Sequence, residues 1–201
     1  YNPEFIKWNF QFPLPTEYYA AHFPLFPFLI RIFSILLGFP YAMLFITVAA
    51  SILATYFFYK FIRQYQDEAN SIFLTLVFSI FPARWLIVKS VGSAEPLFIA
   101  GIIASIYFFQ NKKYLWAGLW GVVAQLAKPP GILLFAAYTL VIFVPIIKNA
   151  ITTNKNLLKL TEIKKYWPIL LIPLALVLVF SLFGIQLKDF WAYFHSGDNV
   201  H

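Results

Sequence analysis

The stretch that decides the fold is residues 114–147, YLWAGLWGVVAQLAKPPGILLFAAYTLVIFVPII, whose one charge is Lys128 in front of Pro129, Pro130 and Gly131. As a single helix it would run about 51 Å at 1.5 Å per residue, well beyond a ~30 Å hydrocarbon core. Lys-Pro-Pro-Gly breaks it, because proline has no amide hydrogen to donate and its ring clashes with the preceding turn. The expectation is two short membrane helices, 114–128 and 131–147, with a turn between them.

The whole chain has the same character. It is 61% hydrophobic and 11% charged, with a mean hydropathy of +0.75, which excludes an ordinary soluble domain. Nothing alternates as a β-barrel strand would, so backbone polar groups in lipid must be satisfied within helices. Upstream, apolar runs predict spans at about 40–59, 70–89 and 95–110, the second interrupted by Pro82-Ala83-Arg84. Downstream, a span is expected at 166–184. Residues 23–38, bounded by Pro24, Pro27, Gly38 and Pro40, predict an interfacial or re-entrant helix of roughly 22 Å. The aromatic segment 1–22 and the polar segment 185–201 read as outer, extramembrane pieces. The fold class is therefore all-α: one polytopic transmembrane bundle over 1–201, with about six spans and an interfacial helix. The chain begins at Tyr1 rather than Met and reads as a fragment of something longer.

Charge placement orients the bundle. The net charge is +7, yet nine of the fifteen basic residues lie in the loops 60–69, 110–114 and 148–165. That is the pattern of membrane topology, not of nucleic-acid binding, and it makes those loops cytoplasmic. Residues 148–165 also suit an amphipathic helix on an anionic leaflet, although a plain positive-inside loop accounts for them as well. The opposite face collects Glu4, His22, Arg84, Lys89, Glu95, Lys128, His195, Asp198 and His201, which topology leaves unexplained.

Several of these residues suit chemistry. Glu95 follows Ser93, a good N-cap, and precedes Pro96, so a first helical turn stabilises its negative charge. The same carboxylate at the outer mouth of a bundle can pair a substrate group, or Arg84 and Lys89. Lys128 favours a helix C-terminus and can snorkel, but at a break between two short spans it also makes an anion contact. Arg84 and Lys89 can anchor the interface; with Lys128 they supply three cations on one face, enough for a phosphate. His22 reads as an interfacial histidine or a substrate contact. His195-x-x-Asp198-x-x-His201 fits no metal motif, and Gly197-Asp198-Asn199 reads as a turn, so no metal is expected. There is no phosphate-binding glycine loop, dinucleotide fingerprint, zinc-protease helix or serine elbow. With no cysteine, disulfides and thiolate metal sites are excluded.

Three segments resemble a known family. AHFPLFPFLIRIF at 21–33 is similar to the aromatic-Phe-Pro-Leu-x-Pro signature of the glycosylphosphatidylinositol mannosyltransferase that adds the second mannose, and of its prokaryotic relatives. Ser93-Ala-Glu95-Pro-Leu-Phe98 resembles that family's Ser-Glu-x-x-Phe segment. AGLWGVVAQLAKPPGILL at 117–134 resembles its small-residue segment ending in a basic residue and glycine, and Tyr1-Asn-Pro-Glu4 resembles its Gly-Tyr-x-x-Glu. The agreement covers roughly residues 1–134.

The resemblance implies a C-type glycosyltransferase-like fold with no cofactor and no bound metal. Its substrates would be a polyprenyl-phosphate sugar donor and a glycan or lipid acceptor, met at the outer or lumenal face. That face belongs to the plasma membrane in a prokaryote or the endoplasmic reticulum in a eukaryote. On this reading Glu95 and Glu4 are the candidate catalytic carboxylates and Lys128, Arg84, Lys89 and His22 the candidate substrate contacts, Arg84 and Lys89 on charge placement alone. Two departures stand out. Lys128 occupies the family's usual arginine position, and the acidic residue of the first outer loop would precede Tyr1, so this fragment alone is expected to be inactive. Rival readings are a transporter or flippase subunit, whose charges would sit near span centres, and a non-catalytic membrane scaffold.

Overall fold

A computed structural model of the chain describes residues 20, 22–81, 83–153 and 164–196. Among them every regular element is helical. The α-helices are α1 (Leu25–Leu37), α2 (Phe39–Ile62), α3 (Glu68–Ile80), α4 (Ala83–Ser90), α5 (Glu95–Gln110), α6 (Tyr114–Ala127), α7 (Ile132–Thr153), α8 (Leu171–Gln186) and α9 (Ala192–His195), with 3-10 turns at Pro129–Gly131 and Trp167–Leu170. Contacts divide the chain into two compact units, Phe23–Val177 on the one hand and Tyr1–His22 with Leu178–His201 on the other.

Two continuous helical stretches, Phe39–Ile62 and Trp167–Gln186, are long and apolar enough to cross a membrane. A third candidate is α3 with α4, which pass that test together but meet at an angle of 68°. Here the sequence carries Pro82, whose missing N–H and bulky ring end α3. The remaining apolar helices, Leu25–Leu37, Glu95–Gln110, Tyr114–Ala127 and Pro129–Pro145, are shorter than a full span. The chain is thus an all-helical membrane protein with two, or counting the bent pair three, span-length helices among the described residues.

The larger unit is built around α5, which packs along both α6 and α2. Small residues permit this. Gly101, Ala104 and Ser105 of α5 face Ala117, Gly121 and Ala124 of α6, all buried. A methyl group placed on Gly101 would lie 2.7 Å from the Ala124 backbone nitrogen, and one on Gly118 would lie 2.2 Å from the Pro168 carbonyl oxygen. Between helices in lipid, where tails are as apolar as leucine, such close backbone approach is the main source of attraction. One polar knot sits in this interface. Ser105 donates to the Ala117 carbonyl at 2.7 Å and meets the Tyr138 hydroxyl of α7 at 2.7 Å, which satisfies two buried hydroxyls at once.

Directions follow from two hydrogen bonds. Asn111 Nδ2, beyond the end of α5, donates to Gln64 Oε1, beyond the end of α2, at 3.2 Å. The Ser93 amide, just before α5, donates to Thr47 Oγ1 of α2 at 3.1 Å. Helices α2 and α5 therefore run parallel, and the basic loops at 60–69 and 110–114 share one end. Because α5 begins level with Thr47 rather than Phe39, its start lies about 12 Å along α2 from that helix's first residue. Helix α1 covers this region from the side, with Leu25 and Leu29 packed on Ala50, Leu97 and Ala127. It makes contacts with both α2 and α6, so the short helix expected at 23–38 is an integral part of the bundle.

In the smaller unit, Phe180 meets the rings of Phe190, Trp191 and Phe194 at 5.5–6.0 Å between centroids. Asp189 accepts from the Trp191 amide at 2.8 Å and bonds His195 Nδ1 at 2.5 Å. The His195 bond, helped by that amide, holds the half-buried Asp189 carboxyl below its ordinary range. A depressed acid contributes order above its unfolded value and loses it as pH falls through the lower, folded one. A carbon-13 titration should therefore place Asp189 below a free aspartate, and Asp189→Asn should abolish pH-dependent shifts at the Trp191 amide. Residues 1–19, Asp198, His201 and residues 154–163, within the expected amphipathic stretch, lie outside the described residues.

Candidate functional site

The site assembles where α5 begins and α6 ends. Because these helices are antiparallel, the N-terminus of one meets the C-terminus of the other. Glu95 is the first residue of α5, and Lys128 follows the last residue of α6. Each charge sits at the helix end whose dipole favours it, and the two pair directly, Lys128 Nζ donating to Glu95 Oε1. Their side chains are 33% and 28% exposed, so the pair is partly desolvated yet reachable.

The other carboxylate oxygen, Oε2, accepts from the Ser93 hydroxyl. Ser93 does cap the helix, but from one residue further out than the sequence pattern suggests. Ala94 occupies the boundary position, and Ser93 Oγ accepts the Glu95 amide at 3.2 Å. Thr47 then fixes Ser93 from both sides. Its hydroxyl oxygen accepts the Ser93 amide, and the hydroxyl lies 3.3 Å from the Ser93 carbonyl and 2.9 Å from that of Met43. Thr47 is fully buried, which makes this link from α2 to the α5 start a rigid one.

On the α6 side, the turn Pro129–Gly131 folds back on the helix it ends. A methyl group on Gly131 would fall 2.5 Å from the Gln125 backbone, so only glycine allows the turn to close. Gln125, one turn before Lys128, is wholly buried. Its Nε2 reaches the Pro129 carbonyl only at 3.5 Å, and its Oε1 has no hydrogen-bond partner among the described residues.

The expected candidates separate into groups. Glu95 and Lys128 come together, although 33 positions apart. Arg84 is exposed and forms no ion pair with Glu95; its charge is the weakest of the influences on that carboxylate. Lys89 goes elsewhere: it donates to the Ser79 carbonyl at 2.5 Å and lies 5.7 Å from the centre of the Trp85 ring. There it serves a carbonyl near the end of α3, so it is not one of three cations on a single anion. His22 is exposed, and Glu4 lies outside the described residues. No group of acidic, histidine or cysteine side chains among the described residues is placed to hold a metal. Sequence reasoning missed Thr47 and Gln125. Thr47 had a signal, the i, i+4, i+8 run Thr47–Ser51–Thr55 in an otherwise apolar span; Gln125 had its polarity alone.

Chemically, the arrangement offers one carboxylate, a hydroxyl on it, a lysine paired to it and an arginine nearby. The pair itself is neutral, and the more distant Arg84 adds a weak positive influence. Compared with protein-family models, curated proteins and solved structures, the chain matches none of them.

Proposed function

We propose that this chain is the membrane part of a glycosyltransferase, mannosyltransferase-like, that moves a sugar from a polyprenyl-phosphate donor to a glycan or lipid acceptor. The observation that carries the reading is the Glu95–Lys128 pair, set at the level of Thr47 and not at the tip of α2. Such a transfer needs cations for a leaving phosphate and a carboxylate for the acceptor's proton. As the donor phosphate arrives, it competes with Glu95 for Lys128, and Arg84 adds a second positive charge. The freed carboxylate takes the proton of an acceptor hydroxyl. The hydroxyl oxygen bonds to the anomeric carbon as the bond to the phosphate oxygen breaks, with inversion. Where the proton acceptor lies in preceding chain, Glu95 and Glu4 orient the acceptor instead.

In this proposal the bundle makes about six passes, in a C-type glycosyltransferase-like arrangement. Apolar surfaces within 70–147 receive the polyprenyl tail. The basic loops at the opposite end support a site on the outer or lumenal side of a plasma or endoplasmic-reticulum membrane. Supplying the full-length protein in lipid nanodiscs with radiolabelled polyprenyl-phosphate hexoses tests the reading. Label moving to an acceptor from one donor is the expected result, and no transfer from any hexose donor removes it.

The same pair favours a second reading, transport, because an ion pair set back from a helix tip resembles a substrate-gated one. Solute flux into proteoliposomes without covalent transfer would support that reading over the first.

A further inference from the structure

A second polar site lies away from the Glu95–Lys128 pair. Between α2 and the end of α4 runs a groove of about 500 Å³ lined by Val48, Ser51, Ile52, Thr55, Tyr56 and Lys89. Ser51 is near the middle of α2, about 18 Å along it from Phe39. At that depth lipid tails offer no hydrogen bonds, so polar atoms there need partners within the protein or a ligand. The hydroxyls have default partners, Ser51 donating to the Thr47 carbonyl at 2.7 Å and Thr55 to the Ser51 carbonyl at 2.9 Å. Their lone pairs remain open, and each proton can turn outward.

The donors are in surplus. The Lys89 ammonium has three N–H groups and spends one on the Ser79 carbonyl. The Trp85 ring, 5.7 Å from the ammonium, is buried and does not line the groove, so Lys89 supplies the spare donors there. No carboxylate lines this groove. A ligand that satisfies it is therefore rich in acceptors and negatively charged. Val48 and Ile52, exposed beside the polar groups, admit a hydrocarbon chain from the side. A phosphate head on a lipid tail combines these properties. The hydroxyl run Thr47–Ser51–Thr55 then leads, one helical turn per step, to Ser93 and Glu95.

We propose that the groove between α2 and α4 is the docking site for the phosphate head of the lipid-borne substrate, with Lys89 as its counter-ion. This deepens the glycosyltransferase reading and rests on it for the ligand's being a substrate, though not for the site itself. It also divides the cations by role: Lys89 receives the lipid phosphate on entry, and Lys128 meets it at Glu95.

Binding of fluorescent farnesyl phosphate to the full-length protein in neutral-lipid nanodiscs tests the proposal. Lys89→Met should weaken binding about tenfold or more, the loss of a charge-assisted hydrogen bond, and Lys89→Arg should keep most of it. Because Lys89→Met also strips the Ser79 carbonyl, Thr55→Leu serves as a second variant that fills the groove and leaves that contact intact. It should weaken binding to a similar degree. Unchanged affinity in both variants, each with a wild-type melting temperature, overturns the proposal. Phosphatidylglycerol and inorganic phosphate are the competitors. Displacement by neither is expected, whereas equal displacement by phosphatidylglycerol makes the occupant bulk lipid and overturns the substrate assignment. The two readings fail separately: localised binding without sugar transfer removes the enzyme reading alone, and full transfer in both variants removes the groove alone.

Discussion

Glu95→Gln in the full-length protein is expected to lower sugar transfer by on the order of 100- to 10,000-fold, the range of a lost acid–base group. Glutamine keeps the size and can still accept from Ser93, so the start of α5 should survive. Lys128→Met should lower transfer comparably by removing the positive charge paired to Glu95. Stability provides the complementary readout. Breaking a deeply buried pair from one side costs about 3–5 kcal/mol, and exposure of roughly a third of each side chain lowers that to about 2 kcal/mol. The double variant Glu95→Gln/Lys128→Met should recover part of it, because neither charge is left alone. Near-wild-type transfer in both single variants, with correct membrane insertion, would falsify the catalytic assignment. The pair would then be a helix-end tie that satisfies two dipoles.

The second large effect is expected at the α6 contact with the 3-10 turn before α8. Gly118→Val places a branched side chain where even a methyl carbon would sit 2.2 Å from the Pro168 carbonyl oxygen. Backbone cannot swing aside as a side chain can, so the helix and the turn must separate. Overpacking of a tight core costs typically 1–3 kcal/mol, and valine here should reach or exceed about 3 kcal/mol. Gly184→Ala in α8 is the matched control, since its nearest neighbours stand at 3.8 Å. That change should stabilise by about 0.5–1 kcal/mol, the helix-interior advantage of alanine. Melting temperatures in one detergent check both, and equal behaviour of the two variants would remove the close approach at Gly118 as a source of stability.

Much of the helical frame is legible in the chain because lipid makes local rules strict. The break at Lys128-Pro-Pro-Gly131 is a matter of missing amide hydrogens, and α6 does end at Ala127. The interruption at 82–84 likewise marks the joint between α3 and α4. Boundaries at the basic loops are less sharp. Helix α2 carries on to Ile62, beyond the expected 59, because Lys60 can extend its charge past the apolar surface while its backbone stays helical. Span number is less legible still. Apolar runs suggested six, whereas length separates two or three span-length helices from four short ones. A run's hydrophobicity says that it avoids water, not that it reaches from face to face.

The partners of the charges were not legible. By sequence, Glu95 stands near Arg84 and Lys89, and Lys128 belongs to another helix. Only the antiparallel packing of α5 on α6 brings Lys128 to Glu95, and that packing depends on glycines whose neighbours are distant in the chain. The bend between α3 and α4 meanwhile carries Lys89 to the Ser79 carbonyl and away from the pair. The sequence by itself determined that this is a helical membrane protein, where its helices break and which residues bear charge, since each of these is a local consequence of excluding water. The tertiary structure alone decided which charges meet and how deep they lie, because both depend on helix register, and register is set by contacts across the bundle.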